Sequence, residues 1–399
     1  MVDVLPVLAT LLGWCLALGI AVPLMVFSCE VIAGLAPARQ GNAALSASRV
    51  AVLIPAHDES AGIVATLMAL QAVAPPGTRI LVVADNCSDD TATLARAAGA
   101  EVIERHDAAA RGKGYALAFG RDHLALDPPE RCAEVVIVLD ADCRLAPGSI
   151  EALSAAACAS DAPAQAINLI APDFSASPLV QISSFAVLVK NLYRSRGMQR
   201  LGGAALLTGT GMAFPWRHFA AAELATGALV EDLALGIALT RAGHAPRLVA
   251  AAQVRSAPAQ LGDALVQRTR WEHGFLGTLR QFALPVLAAG LRRSSLAETL
   301  LGLHLLVPPL ALLLLVAGLS LPVLGGIVLL GGGAMPLLLI GAMLVITLLS
   351  VFAAWLAGGR ALLSGSTLLR APLYVLWKIP VYLKFLRKPE TRWQRTPRD

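Results

Sequence analysis

The sequence predicts an α/β domain with a parallel sheet, set between apolar segments long enough to cross a bilayer. Three observations predict it. From about residue 50 to residue 160, short β-branched runs alternate with helical patterns, the order of βαβ units. The most apolar of these runs, residues 135–139, ends in two carboxylates one residue apart, Asp140 and Asp142. Residues 4–29 and 305–359 contain no charged side chain at all. The 399 residues are 56% hydrophobic and 15% charged, too apolar for an ordinary soluble domain, and the apolar excess sits at the two ends.

The charge balance narrows the partners. A net charge of +5 is mild, and the basic residues cluster beside the apolar segments, which points to a membrane surface. Aromatic residues make up 5%, too few for base-stacking platforms, so nucleic acid is excluded as a partner. Six cysteines without a C-x-x-C pair read as reduced thiols of a cytosol-facing protein.

Residues 4–29 exceed the ~20 needed for a membrane helix. Only Asp3 precedes them as a charge, so the segment reads as a retained anchor and not as a cleaved signal peptide with a basic start. Arg39 and Arg49 follow, which by the positive-inside rule places the next domain in the cytoplasm. After a small-residue linker at 41–48, residues 50–55 form a first strand and 63–74 a helix. Residues 79–84 are a second strand ending at Asp85, and 91–98 a helix closed by Gly99, with Asp89 or Asp90 as its cap. A third strand covers 100–105. Lys113, between Gly112 and Gly114, opens a helix through residue 123, and 135–139 is the fourth strand.

Residues 150–159 read as a helix and 165–170 as a strand. A helix over 178–200 carries Lys190, Arg194, Arg196 and Arg200, a pattern typical of a solvated basic face. Gly209, Thr210 and Gly211 make a turn running into a strand. Glu231 and Asp232 start a helix that ends at Arg241 and is capped by Gly243, and residues 267–291 form an amphipathic helix. The uncharged stretch 305–359 is too long for one span and is broken by Pro322, Pro336 and several glycines, so it makes two helices joined by an outer turn. Basic residues interleaved with Tyr374, Trp377, Tyr382 and Trp393 make 360–399 an interfacial tail. A third span over 362–386 would bury Arg370 and Lys378 at a cost. The expected plan is an anchor at 4–29, a cytoplasmic domain at 48–291, two spans within 300–359, and the tail.

In open α/β sheets, ligands gather beyond the carboxyl ends of the strands. Hard oxygen donors there suit Mg²⁺ or Mn²⁺ and a phosphate-bearing substrate, although D-x-D alone serves equally as a turn or helix start.

Asp85, Asp140-x-Asp142, Glu231-Asp232 and Gln267-x-x-Arg270-Trp271, in this order and spacing, resemble the motifs of membrane-bound family 2 glycosyltransferases. That group includes cellulose, chitin and hyaluronan synthases and the enzymes that assemble bacterial exopolysaccharides. The resemblance covers roughly residues 50–291 plus the membrane layout. It implies a Rossmann-like GT-A domain that moves a sugar from a nucleotide donor, a UDP-sugar first, to a hydroxyl of a polysaccharide or lipid-linked acceptor, with inversion. It also implies an inner-membrane, multi-pass protein working with export or co-polymerase subunits. Asp140 and Asp142 would hold Mg²⁺ or Mn²⁺ against the diphosphate. Asp85 would contact the uridine, although Ala84 stands where the family has a second acid. Lys113 would reach phosphate or base, its alternative being a solvated surface lysine. Asp232 would be the general base, beside Glu231 and the loop of Gly209, Thr210 and Gly211 on the acceptor side. Without the resemblance, Glu231-Asp232 is a favourable helix start. Gln267, Arg270 and Trp271 would close over the diphosphate and the acceptor sugar. His57 reads as a satisfied loop residue. Two other readings stand beside this one: transfer of a single sugar to a membrane lipid, and an inactive nucleotide-binding scaffold.

Overall fold

The computed structural model describes residues 4–37, 49–225, 230–257 and 261–387, with side chains of the last range from residue 269 onward. Among these residues two compact units separate, one built around a sheet and one around long helices. The sheet unit takes 49–171, 203–225 and 230–257; the helical unit takes 4–36, 172–202 and 261–387. The expected cytoplasmic stretch 48–291 is thereby divided between them.

The sheet has eight strands: β1 (Val50–Ala56), β2 (Arg79–Asp85), β3 (Glu101–Arg105), β4 (Val135–Val138), β5 (Cys143–Leu145), β6 (Ala164–Ile170), β7 (Met212–Pro215) and β8 (Arg247–Ser256). Their order is β3-β2-β1-β4-β7-β6-β8-β5. Strands β3, β2, β1 and β4 are parallel, with Leu53 opposite both Leu81 and Val138. Strand β7 runs antiparallel to both β4 and β6, and β6 is parallel to β8. The sheet is therefore mixed.

Unbroken apolar runs are what a sheet covered on both faces requires. Val52, Ile54, Val82 and Ile137 point to one side and pack with Ile63, Leu67, Leu70 and Leu153. Their neighbours Leu53, Leu81, Val83, Val136 and Val138 point to the other side and pack with Leu117, Leu124, Phe214 and Phe219. Each such side chain contributes about 1.5–3 kcal/mol by leaving water. In the sheet unit three elements were not legible in the sequence: β5, β8 and the short helix Trp216–Ala220. Strand β8 contains the run Ala250-Ala251-Ala252, which has neither β-branching nor alternation, so its pairing with β6 and β5 makes it a strand.

In the helical unit the first helix runs Val4–Leu35, beyond the expected end at residue 29. The 305–359 stretch forms the helices Leu310–Leu329 and Met335–Ala357. Helix Leu261–Arg292 turns at Ser294 into Leu296–Leu305. Among the described residues, four helices are long and apolar enough to cross a membrane by length and composition, one of them being Thr269–Arg292. The 362–386 stretch is no span, because it breaks into the short helices Gly365–Leu368, Ala371–Trp377 and Ile379–Arg387.

Two further expectations are corrected in this unit. The 178–200 segment is helical, with a π-helical turn at Val189–Arg194, but only part of its basic face is solvated: Lys190 and Arg200 are exposed, Arg196 is half-buried and Arg194 is buried. Gly197 and Gly34 sit where a Cβ would overlap the backbone carbonyls of Glu30 and Tyr193, so this segment lies backbone to backbone on the first helix. Arg194 is buried there, with Nε donating to Glu30 Oε2 at 2.6 Å. In the tail, Lys378 is fully buried and pairs with Glu272 at 2.7 Å, below the rings of Tyr374 and Trp377. That lysine belongs to the packed interior, not to a lipid-facing tail. Residues 388–399, with Trp393, lie outside the described residues.

Candidate active site

Four backbone segments meet at the carboxyl end of β4. Leu139 continues β4 by donating to the Leu53 carbonyl at 3.1 Å, and the chain then turns, with Cys143 N bonding Asp140 O at 3.0 Å. The turn is fixed from both sides. Thr66 Oγ1 donates to the Ala141 carbonyl at 2.6 Å, and Asp140 N donates to Thr210 Oγ1 at 3.1 Å. The second segment, 208–211, is tied to β4 by Gly211 N bonding Val138 O at 2.9 Å. Gly209 and Gly211 both have positive φ, 84° and 64°, and a Cβ on Gly211 would press on Ala166 and Val254, so glycine is required there. Gln165, a buried side chain not singled out in the sequence, braces this loop. It donates to Thr210 O at 2.9 Å and accepts from Thr208 N at 3.0 Å.

Lys113 joins these segments to the remaining two. It begins the helix Lys113–Leu124, and its ammonium donates to the Gly209 carbonyl at 2.6 Å and forms an ion pair with Asp140. It is thus not a solvated surface lysine. Helix Glu231–Arg241 brings Glu231 and Asp232 to the same place: a Cβ on Gly209 would lie 3.4 Å from both Asp232 Oδ2 and Lys113 Nζ. Burial opposes the charge on Lys113, but Asp140, Glu231 and Asp232 outweigh it, and its pKa is raised. Glu231 is driven the other way. Burial first, then the adjacent Asp232, pushes its carboxyl from 4.5 up to about 7 despite Lys113.

That shift has a testable sign. The folded state holds the Glu231 proton more tightly than the unfolded chain, so stability is lost as pH rises from about 4.5 and the full penalty is present above about 7. Glu231→Gln is expected to be more stable than the parent by about 1–3 kcal/mol above pH 7, with the difference vanishing below pH ~4.5. Denaturant midpoints measured at several pH values check this, and a difference that does not vary with pH would sink it.

Asp140 and Asp142 together with Cys143 place three donor atoms within 4.8 Å of one another. Burial and then the two carboxylates hold the Cys143 thiol well above its ordinary pKa, so it stays protonated, donating to Asp142 Oδ1 at 3.5 Å. The effective donors are hard carboxylate oxygens, which fit Mg²⁺ or Mn²⁺ better than a thiophilic metal.

Asp85 ends β2, with a buried side chain. Its Oδ1 accepts from Arg105 Nη1 at 2.7 Å and Asn86 Nδ2 at 3.0 Å, and its carbonyl lies 2.7 Å from His57 Nδ1. Arg105, at the end of β3, gave no sequence signal because its partner is twenty residues away. His57 is a satisfied loop residue. Asp89 accepts from Thr91 N and Ser60 N, while Asp90 makes no side-chain cap bond. Of the last motif, Gln267's side chain lies outside the described residues. Arg270 is half-buried and Trp271 is 40% exposed, both on the helix Leu261–Arg292 of the helical unit.

Residues 47–274, more than half of the chain, match the family model described as glycosyltransferase like family 2. The chain belongs to this family and is a glycosyltransferase. Among solved structures, it is similar to the mannosyltransferase PcManGT from Pyrobaculum calidifontis in complex with GDP-Man and Mn²⁺. The identity is 16%, the match covers 96% of this chain and 100% of that one, and the TM-score is 0.57. A looser match is glucosyl-3-phosphoglycerate synthase from Mycobacterium tuberculosis, solved with Mn²⁺, UDP and glucosyl-3-phosphoglycerate. It is 19% identical over 61% of this chain and 86% of that one, with a TM-score of 0.38. No curated protein matches the chain. The mixed sheet is that of the GT-A fold.

Proposed function

We propose that this chain is an inverting, divalent-metal-dependent glycosyltransferase that moves a sugar from a nucleotide-sugar to a hydroxyl of a polysaccharide or lipid-linked acceptor. It would act at the cytoplasmic face of the inner membrane, in exopolysaccharide or cell-envelope glycan synthesis. The observation that carries the reading is the placing of Asp232 beside the Gly209 turn, with Lys113 bridging that turn to Asp140. Donor-side and acceptor-side groups are held by one cation.

Asp140 and Asp142 would hold Mg²⁺ or Mn²⁺, which offsets the charge of a departing diphosphate. Lys113 keeps Asp140 turned to the crevice and offsets the surrounding carboxylates. Asp85, oriented by Arg105, would accept hydrogen bonds from the nucleotide base. Asp232 would take the proton from the acceptor hydroxyl as that oxygen attacks the anomeric carbon. The Gly209–Thr210–Gly211 backbone, lacking side chains at both glycines, would let the acceptor sugar approach closely. Arg270 offers a fork of donors suited to phosphate and Trp271 a partly open ring face suited to a pyranose, with Gln267 beside them in sequence. Basic flanks at Arg292, Arg293 and Arg360 support the cytoplasmic orientation of the catalytic unit.

The mannosyltransferase that shares the fold over its whole length was solved with GDP-Man, so the donor panel has to include GDP-sugars as well as UDP-sugars. With detergent-purified protein, one donor should release its nucleoside diphosphate only when Mn²⁺ or Mg²⁺ is added. Mass analysis of the product then distinguishes a growing chain from a single sugar on lipid. No release from any UDP- or GDP-sugar, with membrane lipid extract supplied as acceptor, would count against the reading and favour the inactive scaffold.

A further inference from the structure

We infer that Asp161, His218 and His244 form a second metal site, selective for a borderline transition-metal ion such as Zn²⁺, at the end of the sheet away from Asp140 and Asp142. The three residues are far apart in sequence, and the topology gathers them. Asp161 precedes β6, His244 precedes β8, and His218 follows β7. Strands β6 and β8 are parallel neighbours that begin level with each other, Ala164 opposite Arg247. Strand β7 runs antiparallel and ends beside the start of β4, Pro215 opposite Val135. All three connections therefore lie where the parallel strands start, whereas Asp140 follows the end of β4.

One ligand atom from each residue lies within 4.8 Å of the others, and the two imidazole rings stand 4.0 Å apart between centroids. A zinc ion ~2.0–2.1 Å from each nitrogen needs only small side-chain rotations from that spacing. Asp161 is already aimed. Its Oδ2 is held by Arg217, and its Oδ1 turns to His218 Nε2 at 3.3 Å. Asp161 also sits in a left-handed conformation, φ 47°, which costs a non-glycine residue energy and brings its carbonyl to 3.0 Å from the same nitrogen. The bound ion would replace the proton on His218 Nε2, which passes to solvent. Two imidazoles and one carboxylate leave a fourth position for water. That set suits Zn²⁺, Co²⁺ or Ni²⁺ and discriminates against Mg²⁺, which prefers an all-oxygen shell. The bound ion's effect would be to tie three connections together remote from the acidic crevice.

The test uses the full-length, tag-free, metal-stripped protein in detergent, titrated with Zn²⁺ by calorimetry and with Co²⁺ by visible absorption. An Asp142→Asn background removes the acidic-crevice site from the count. One Zn²⁺ per chain is expected in that background, with Co²⁺ giving the intense d–d bands of a low-coordinate site. His218→Asn and His244→Asn should each weaken Zn²⁺ binding at least about tenfold. Arg217→Ala removes a competing cation from Asp161 and should tighten it, a readout that survives even if the histidine variants fold poorly. Zn²⁺ affinity unchanged in both histidine variants, lost in Asp142→Asn alone, or not tightened by Arg217→Ala would overturn the inference.

Discussion

Asp232→Asn is expected to lower the turnover of sugar transfer by about 10²–10⁴-fold while the donor KM changes little. The substitution keeps the size and the hydrogen-bonding shape of the side chain and removes only its ability to accept a proton. Asp232 and Glu231 occupy the first turn of the helix Glu231–Arg241, and their environments differ. Glu231 is pushed towards the protonated form around neutral pH, whereas Asp232 Oδ2 faces the Gly209 turn beside the Lys113 ammonium. A base acting on the acceptor changes kcat, because the proton moves only in the transition state. Glu231→Gln provides the contrast, since it should alter the pH dependence far more than the turnover. Steady-state nucleotide release with the donor found in the panel measures both. Near-normal turnover in Asp232→Asn would mean that Glu231-Asp232 serves as a helix start and that the base lies elsewhere.

Arg194→Met is expected to destabilise the helical unit by about 3–5 kcal/mol, because it strands a buried carboxylate. Glu30 is 1% exposed, Arg194 5% and His304 1%. The guanidinium donates to one oxygen of Glu30, and His304 Nδ1 donates to the other at 2.8 Å, while Phe27 lies under the guanidinium. In the variant Glu30 keeps only its bond to His304, and its carboxylate, closed off from solvent, cannot reach water by a small shift. The pair's own net value is a separate matter. Replacing both partners by apolar residues, Glu30→Met with Arg194→Met, should recover most of the loss, since desolvating two charges offsets their attraction. Unfolding in detergent for the two single variants and the double variant measures this. A single-variant cost below about 1 kcal/mol, as for an exposed pair, would show that Arg194 is solvated after all.

Much of this architecture is written in local runs of residues. The apolar runs 50–55, 79–84 and 135–139 carry enough β-branched and buried character to specify parallel strands without knowledge of their partners. Asp140-x-Asp142, Gly209–Gly211 and Glu231-Asp232 are local patterns, each tied to a strand end, a left-handed turn or a helix start, so their places could be read from a few neighbouring residues. The uncharged lengths of 4–29 and 305–359 exceed what a bilayer requires, which no tertiary contact is needed to establish.

Long-range packing selects the partners of the charged residues. Lys113 and Asp140 are separated by 27 residues, Asp85 and Arg105 by 20, Glu30 and Arg194 by 164, and Glu272 and Lys378 by 106. A charge in a sequence looks the same whether it faces solvent or a buried counter-charge, because hydrophobic periodicity reports only where apolar side chains go. The basic run at 190–200 and the tail around Lys378 therefore read as surface and proved to contain interior ion pairs. Strand β8 and the meeting of Asp161 with His218 and His244 have the same origin. Both follow from which strands neighbour each other in the sheet, a choice made by long-range packing and carried by no local run of residues.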